Sequence, residues 1–187
     1  MDHDTPAAGD PTHNIVLIGF MACGKSTMGR ILSQKIGYRL VDTDQVIEQE
    51  TGMAVTEIFA SRGEDGFRDM ETALLQNMLQ QRCTNHVVST GGGMVVREQN
   101  RALLRKLGFV VWLDCSPAEI LARTSRTNHR PLLQCDDPMA AITGLLNQRK
   151  PMYEAAAHLR INTTGLDFNE LACGILESAR YHYGSMK

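Results

Sequence analysis

Eight consecutive residues, Gly19-Phe20-Met21-Ala22-Cys23-Gly24-Lys25-Ser26, carry the most specific chemistry in this chain. They fit GxxxxGK[ST], a loop that cradles phosphate. Glycines let the backbone curl so that several N–H groups face one anion. A helix opening at that point adds positive potential. Lys25 is placed to reach the β- and γ-phosphates of a nucleotide, and the Ser26 hydroxyl to ligate Mg²⁺. A glycine-rich turn arising by chance is the alternative, but an apolar run precedes the motif and a helical period follows it.

Two further apolar runs end in aspartate: Leu40-Val41-Asp42-Thr43-Asp44 and Val110-Val111-Trp112-Leu113-Asp114. Either could back the metal. Asp42 and Asp44 are two apart, so on one strand they would face the same side. Two close carboxylates repel unless a cation or an arginine lies between them. That suits a metal beside a polyol substrate. Asp114 stands before Ser116-Pro117, the composition of an ordinary helix start.

Residues 66–81 have the period of a helix whose apolar stripe is Phe67, Met70, Leu74, Leu75, Met78 and Leu79. Glu71 lies within that stripe, where a carboxylate must be paired or neutral. Arg68, one turn away, is its natural partner; a structural ion pair and a binding role both fit. The triplet Gly91-Gly92-Gly93 permits close approach of a ligand, or is a flexible turn. Residues 123–137 are polar and hold three arginines, as a mobile lid or a plain surface loop would. Arg149 closes a helical stretch before Pro151, where the helix should kink or end.

These segments follow short apolar runs at Ile15–Phe20, Arg39–Val41, Val87–Ser89, Phe109–Leu113 and Leu159–Ile161, with helical patterns between them. Alternation of this kind means βαβ units and a parallel sheet, with ligands beyond the carboxyl ends of the strands. Met28, Ile31, Leu32 and Ile36 give the first helix its period, and Gly37 is its stop. The length of 187 residues fits one domain, residues 14–187, behind a polar tail at 1–13 that reads as disordered. With 43% hydrophobic residues, 21% charged and a net charge of −2, the composition is that of a globular protein without the bulk charge of a nucleic-acid binder. No apolar run is long enough to span a bilayer. Five scattered cysteines without a CxxC pair speak for reduced thiols and a cytoplasmic setting.

Taken together and in order, the phosphate loop, DTD at 42–44, FRDME at 67–71, GGG at 91–93, RPLL at 130–133 and RKPMY at 149–153 resemble the shikimate kinase family, from Asn14 to about Arg180. The resemblance implies a three-layer α/β P-loop NTPase fold of nucleoside-monophosphate-kinase type, with a five-stranded parallel sheet, flanking helices and a lid. It implies transfer of the ATP γ-phosphoryl group to the 3-hydroxyl of shikimate, in chorismate and aromatic amino acid biosynthesis, by a cytoplasmic monomer using Mg²⁺.

By position, it makes Ala22, Cys23, Gly24, Lys25, Ser26 and Thr27 the nucleotide loop, and Ser26 and Asp42 the metal residues. Asp44 becomes the carboxylate that bonds shikimate hydroxyls and a candidate proton acceptor. Arg68 and Arg149 become the clamp on the shikimate carboxylate, with Glu71 in support and Gly91, Gly92 and Gly93 lining the pocket. Arg123 corresponds to a residue packed on adenine, and Arg130 to the lid arginine that reaches the transferred phosphate. The chain departs from the family at Ala22-Cys23, where Gly-Ala is frequent; Cys23 is either a reactive thiol or a small space-filling side chain. Residues 163–169 do not match cleanly, so no adenine contact is named there. A gluconate- or nucleotide-type kinase, or a nucleotide-sensing module without an acceptor, are the competing functions. A GTPase switch is disfavoured by the lack of an NKxD-type signature.

Overall fold

The runs at Ile15–Ile18, His86–Ser89 and Phe109–Asp114 become the inner strands because they can be buried on both faces, while the half-buried Arg39–Asp42 and Leu159–Asn162 take the edges. A computed structural model describes residues 13–124 and 137–185. The strands are β1 (Ile15–Ile18), β2 (Arg39–Asp42), β3 (His86–Ser89), β4 (Phe109–Asp114) and β5 (Leu159–Asn162). All pair in parallel, in the order β2-β3-β1-β4-β5. The helices are α1 (Lys25–Ile36), α2 (Thr43–Thr51), α3 (Val55–Gln80), α4 (Glu98–Leu107), α5 (Pro117–Thr124), α6 (Pro138–Ala156) and α7 (Phe168–Gly184), with a 3₁₀ turn at Met94–Val96.

Strand side chains alternate between two cores. Val16, Ile18, Val88, Val110 and Trp112 face α3, α4 and the second half of α6. Ile15, Leu17, Val87, Val111 and Leu113 face α1, α5 and α7. The result is the expected three layers. β1 is the central strand, so the loops after β1, β2 and β3 meet at the carboxyl edge, where the strand order reverses and ligands bind in such sheets.

Local stops follow the sequence. α1 starts at Gly24 and ends at Gly37, both left-handed, as positions without a Cβ allow. Three expectations need correction. Asp42 and Asp44 do not share a strand: β2 ends at Asp42, whose carboxylate caps α2 by accepting from the Asp44 and Gln45 backbones at 3.2 and 3.5 Å. Capping ends the strand two residues before Asp44, which falls in the first turn of α2 instead. The helix expected over 66–81 begins upstream at Val55 and passes through a break at Gly63 (φ 69°, ψ −178°). α6 runs on through Pro151 to Ala156. Burial of Tyr153 and Ala156 in the core offsets the hydrogen bond that proline removes.

No helix among the described residues is long and apolar enough to cross a membrane. The tail at 1–12, the expected lid from 125 to 136 and Arg130 lie outside the described residues. Arg123 and Asp137, at the two ends of that lid, belong to the end of α5 and to the cap of α6.

Candidate active site

The segments after β1, β2 and β3 enclose a cavity of about 480 Å³. The phosphate loop forms one wall, from Met21, Ala22, Gly24, Lys25, Ser26 and Thr27. Asp42, Asp44, Ser89, Thr90, Gly91 and Gly92 form the other, and Arg123 and Phe168 close the side.

The loop's conformation is set by its two end glycines. Gly19 (φ 142°) lies so close to the Leu113 carbonyl that a Cβ would collide with it. Gly24 (φ 99°) lies beneath the Phe168 ring with no room for a side chain. Lys25 is buried, and its Nζ donates to the carbonyls of Gly19 and Phe20, both at 2.8 Å. Thr163, just past β5, braces the loop with an Oγ1 that lies 3.3 Å from the Cys23 carbonyl and 3.1 Å from that of Asp114. Arg123 donates to the Ala22 carbonyl at 3.1 Å and pairs with Glu119 at 3.0 Å. Cys23 is wholly buried, so its side chain fills space beneath the loop and is not part of the cavity lining.

Ser26 Oγ and Asp42 Oδ2 are 3.5 Å apart on the cavity wall. A hydroxyl and a carboxylate are the one or two protein oxygens that Mg²⁺ takes when water and phosphate supply the rest. Among the described residues no larger set of acidic, His or Cys side chains converges elsewhere. Asp114, the rival strand-end acid, accepts on one oxygen, Oδ2, from Arg160 Nη2 at 2.6 Å and Nε at 3.1 Å, and is not part of the cavity lining.

Beyond Asp42 lies a buried charge cluster. Arg68 reaches Glu71 at 2.8 Å and Glu64 at 2.9 Å. Arg68 is 6% exposed and Glu71 is fully buried. Burial raises the Glu71 carboxyl to about 7, with Arg68 only partly opposing it. Burial is the largest influence on Arg68 and acts in the lowering direction, but the charges and hydrogen bonds of Glu71 and Glu64 together outweigh it and leave the guanidinium raised. Asp44 is also raised, first by burial and then by the charge of Asp42.

One oxygen of each acid, Asp44 Oδ1 and Glu71 Oε1, is buried without a partner, as is Arg68 Nε. Both oxygens lie against Gly91, at 2.5 and 3.0 Å from where a Cβ would stand. Buried acceptors without donors are costly, and a hydroxylated ligand is the kind of group that supplies donors.

The glycine triplet is therefore a packed junction. Gly91 abuts Asp44 and Glu71, Gly92 abuts the loop at Met21, and a side chain on Gly93 would occupy the space of the Arg68 guanidinium. The Gly92 carbonyl accepts from Tyr153 at 2.6 Å and from Arg149 at 3.4 Å. Arg149 also stands over the Phe20 ring, 5.7 Å from its centroid. Lys25 and Asp44 thus line the cavity itself, whereas Arg68 and Arg149 adjoin it across the glycine turn. Sequence reasoning assigned no role to Phe168, Thr163 or Tyr153. Tyr153 was visible within RKPMY, but its partner is 61 residues away.

A strand-central phosphate loop, a lysine at its helix start and a buried acidic and cationic pocket across the strand ends define a P-loop kinase. The same fold is seen, at 17% identity and a TM-score of 0.61, in a gluconokinase from Sinorhizobium meliloti. Residues 21–180 match the family model described as shikimate kinase, and the chain belongs to the shikimate kinase family. The shikimate kinase of Marinomonas sp. (strain MWYL1) is 42% identical over 169 residues, 90% of this chain and 93% of that one. That of Symbiobacterium thermophilum is 40% identical over 88% of this chain and 94% of its own. A solved shikimate kinase from Acinetobacter baumannii, in complex with shikimate, superposes with a TM-score of 0.84 at 37% identity, covering 93% of this chain and 95% of that one.

Proposed function

We propose that the chain transfers the γ-phosphoryl group of ATP to the 3-hydroxyl of shikimate. The observation that carries this reading is the glycine turn at 91–93, which has the phosphate loop on one side and the Asp44–Arg68–Glu71 cluster on the other. A phosphoryl donor and a small polyhydroxylated acid would meet there.

Each residue then has a task. The N–H groups of the loop hold the phosphates, and Lys25 leaves its two carbonyl partners to follow the charge of the moving group. Ser26 and Asp42 would hold Mg²⁺, which neutralises phosphate charge when bound. Asp44 orients the acceptor hydroxyl; its upward shift brings it closer to a useful general base. Arg68 and Arg149 receive the acceptor carboxylate, Arg68 through its unpartnered Nε. Glu71 keeps Arg68 in register. Arg123 and Phe168 flank the base of the nucleotide. Arg130 is assigned to the transferred phosphate from the sequence alone. Catalysis on this scheme is positioning and charge neutralisation, with water kept out. The reading carries with it a cytoplasmic, monomeric enzyme of aromatic biosynthesis with no nucleic-acid or membrane partner.

A coupled ADP assay tests it, with shikimate, gluconate and nucleoside monophosphates as acceptors and Lys25→Met as the inactive control. Saturable ADP formation with shikimate alone is expected. Slow hydrolysis that shikimate does not stimulate, or preference for another acceptor, would overturn it.

A further inference from the structure

The turn at 91–93 has no side chains with which to hold itself. Glycines also have the most conformational freedom to lose. Its shape must be imposed from outside. The Gly91 N–H donates to Thr43 Oγ1 at 3.0 Å, and the Gly91 and Gly93 carbonyls accept from Met94 and Val96. Gly92, the residue between the phosphate loop and the acceptor cluster, is held through its carbonyl by two groups on α6. Tyr153 Oη holds it at 2.6 Å and Arg149 Nη1 at 3.4 Å.

Arg149 and Tyr153 are four apart, so they project from the same face of the helix toward the same carbonyl. Their environments differ. Tyr153 is 1% exposed and stacked on Trp112, with ring centroids 5.6 Å apart. Its phenol is pushed up chiefly by burial and stays a neutral donor. A hydroxyl at that depth is costly unless bonded, and the Gly92 carbonyl is the acceptor it has. Arg149 has the longer bond and the looser claim.

We infer that Tyr153 is a positioning residue for the acceptor: its hydroxyl takes the short bond to the Gly92 carbonyl, so that Arg149 keeps only a long one and can exchange it for the carboxylate of the substrate. The inference rests on the reading of Arg149 as a carboxylate ligand. Without the phenol, the half-buried Gly92 carbonyl would have only the arginine as a protein donor and would draw it in, because a partly desolvated acceptor left unpaired is costly. Arg149 would close onto Gly92 and turn from the substrate. Tyrosine is required here as a donor, in addition to its packing against Trp112.

Tyr153→Phe keeps the ring and removes the donor. The expected result is a five- to tenfold rise in KM for shikimate, about the effect of one hydrogen bond, with KM for ATP within twofold of wild type. In an Arg149→Ala background the same change should have no further effect, since there is no guanidinium to divert. Trp112 is the sole tryptophan, so its emission gives shikimate and ATP affinities separately and without turnover.

An unchanged shikimate KM, equal damage to both substrates, or full additivity with Arg149→Ala would each overturn the proposal. If Tyr153→Phe lost its fold, seen as a red-shifted Trp112 emission, 3-fluorotyrosine would replace it as a stronger donor of nearly the same shape. Tighter shikimate binding would then support the inference, and unchanged binding would overturn it. A wild-type protein that ignores shikimate would refute the proposed function instead, so the two failures are separable.

Discussion

Replacing Glu71 by glutamine should remove a pH dependence of stability that the fold builds in. Glu71 is fully buried, and its carboxyl is raised from 4.5 to about 7, chiefly by desolvation. Between those values the folded chain still holds the proton that the unfolded chain has released. Stability therefore falls as pH rises: the contribution is complete below about 4.5 and is lost as pH passes about 7. At about 1.4 kcal/mol per unit, the loss is about 3 kcal/mol. Glu71→Gln cannot titrate, keeps the volume and still offers Arg68 an oxygen at the position of the 2.8 Å bond. Asp44 shifts in the same direction and is present in both proteins, so the difference between the two reports Glu71 together with its coupling to Asp44. Urea unfolding followed by Trp112 emission at half-unit steps from pH 4.5 to 8 measures it. The variant should gain on wild type by about 3 kcal/mol across that range. A difference that stayed flat within about 1 kcal/mol would show that burial does not govern this proton, and that Arg68 fully compensates the charge.

Arg149→Ala should raise the shikimate KM by ten- to a hundredfold, about the worth of a charge-assisted bond, while ATP binding stays near normal; steady-state kinetics with each substrate varied separates the two. Gly93→Ala should cost about 1–3 kcal/mol by overpacking, because the new methyl meets an arginine already held by Glu64 and Glu71. A thermal melt together with the shikimate KM checks this, and wild-type values in both would mean that Arg68 can yield.

What the sequence revealed depended on how far a residue's partners lie from it along the chain. The phosphate loop was legible because its glycines, lysine and serine act within eight residues, between a strand and a helix that announce themselves by period. The three inner strands were legible because burial on both faces leaves uninterrupted apolar runs; the half-buried edge strands, RLVD and LRIN, were read from their place between helical patterns. The Arg68–Glu71 pair was legible as a pair, since three residues on a helix bring side chains together. Whether it was structural or functional was not, because that turns on Gly91 and Gly93, which come from another strand. The placement of Asp44 was misjudged for a local reason: helix capping by Asp42 and strand alternation make opposite demands on the same two residues, and the cap won. Pro151 misled similarly, since one lost backbone bond is a smaller effect than the burial of Tyr153 and Ala156.

Phe168 has no local signature, and Tyr153, though it closes the RKPMY motif, has none that tells its role. Each looks like an ordinary core aromatic until the fold sets one over Gly24 and the other against Gly92. In both cases the partner is a glycine, whose missing side chain leaves the contact to backbone and hydrogen. Glycines that appear in a sequence as turn punctuation are, in this protein, where distant elements touch. The residues that read them across the fold are therefore the ones whose roles a motif leaves unstated.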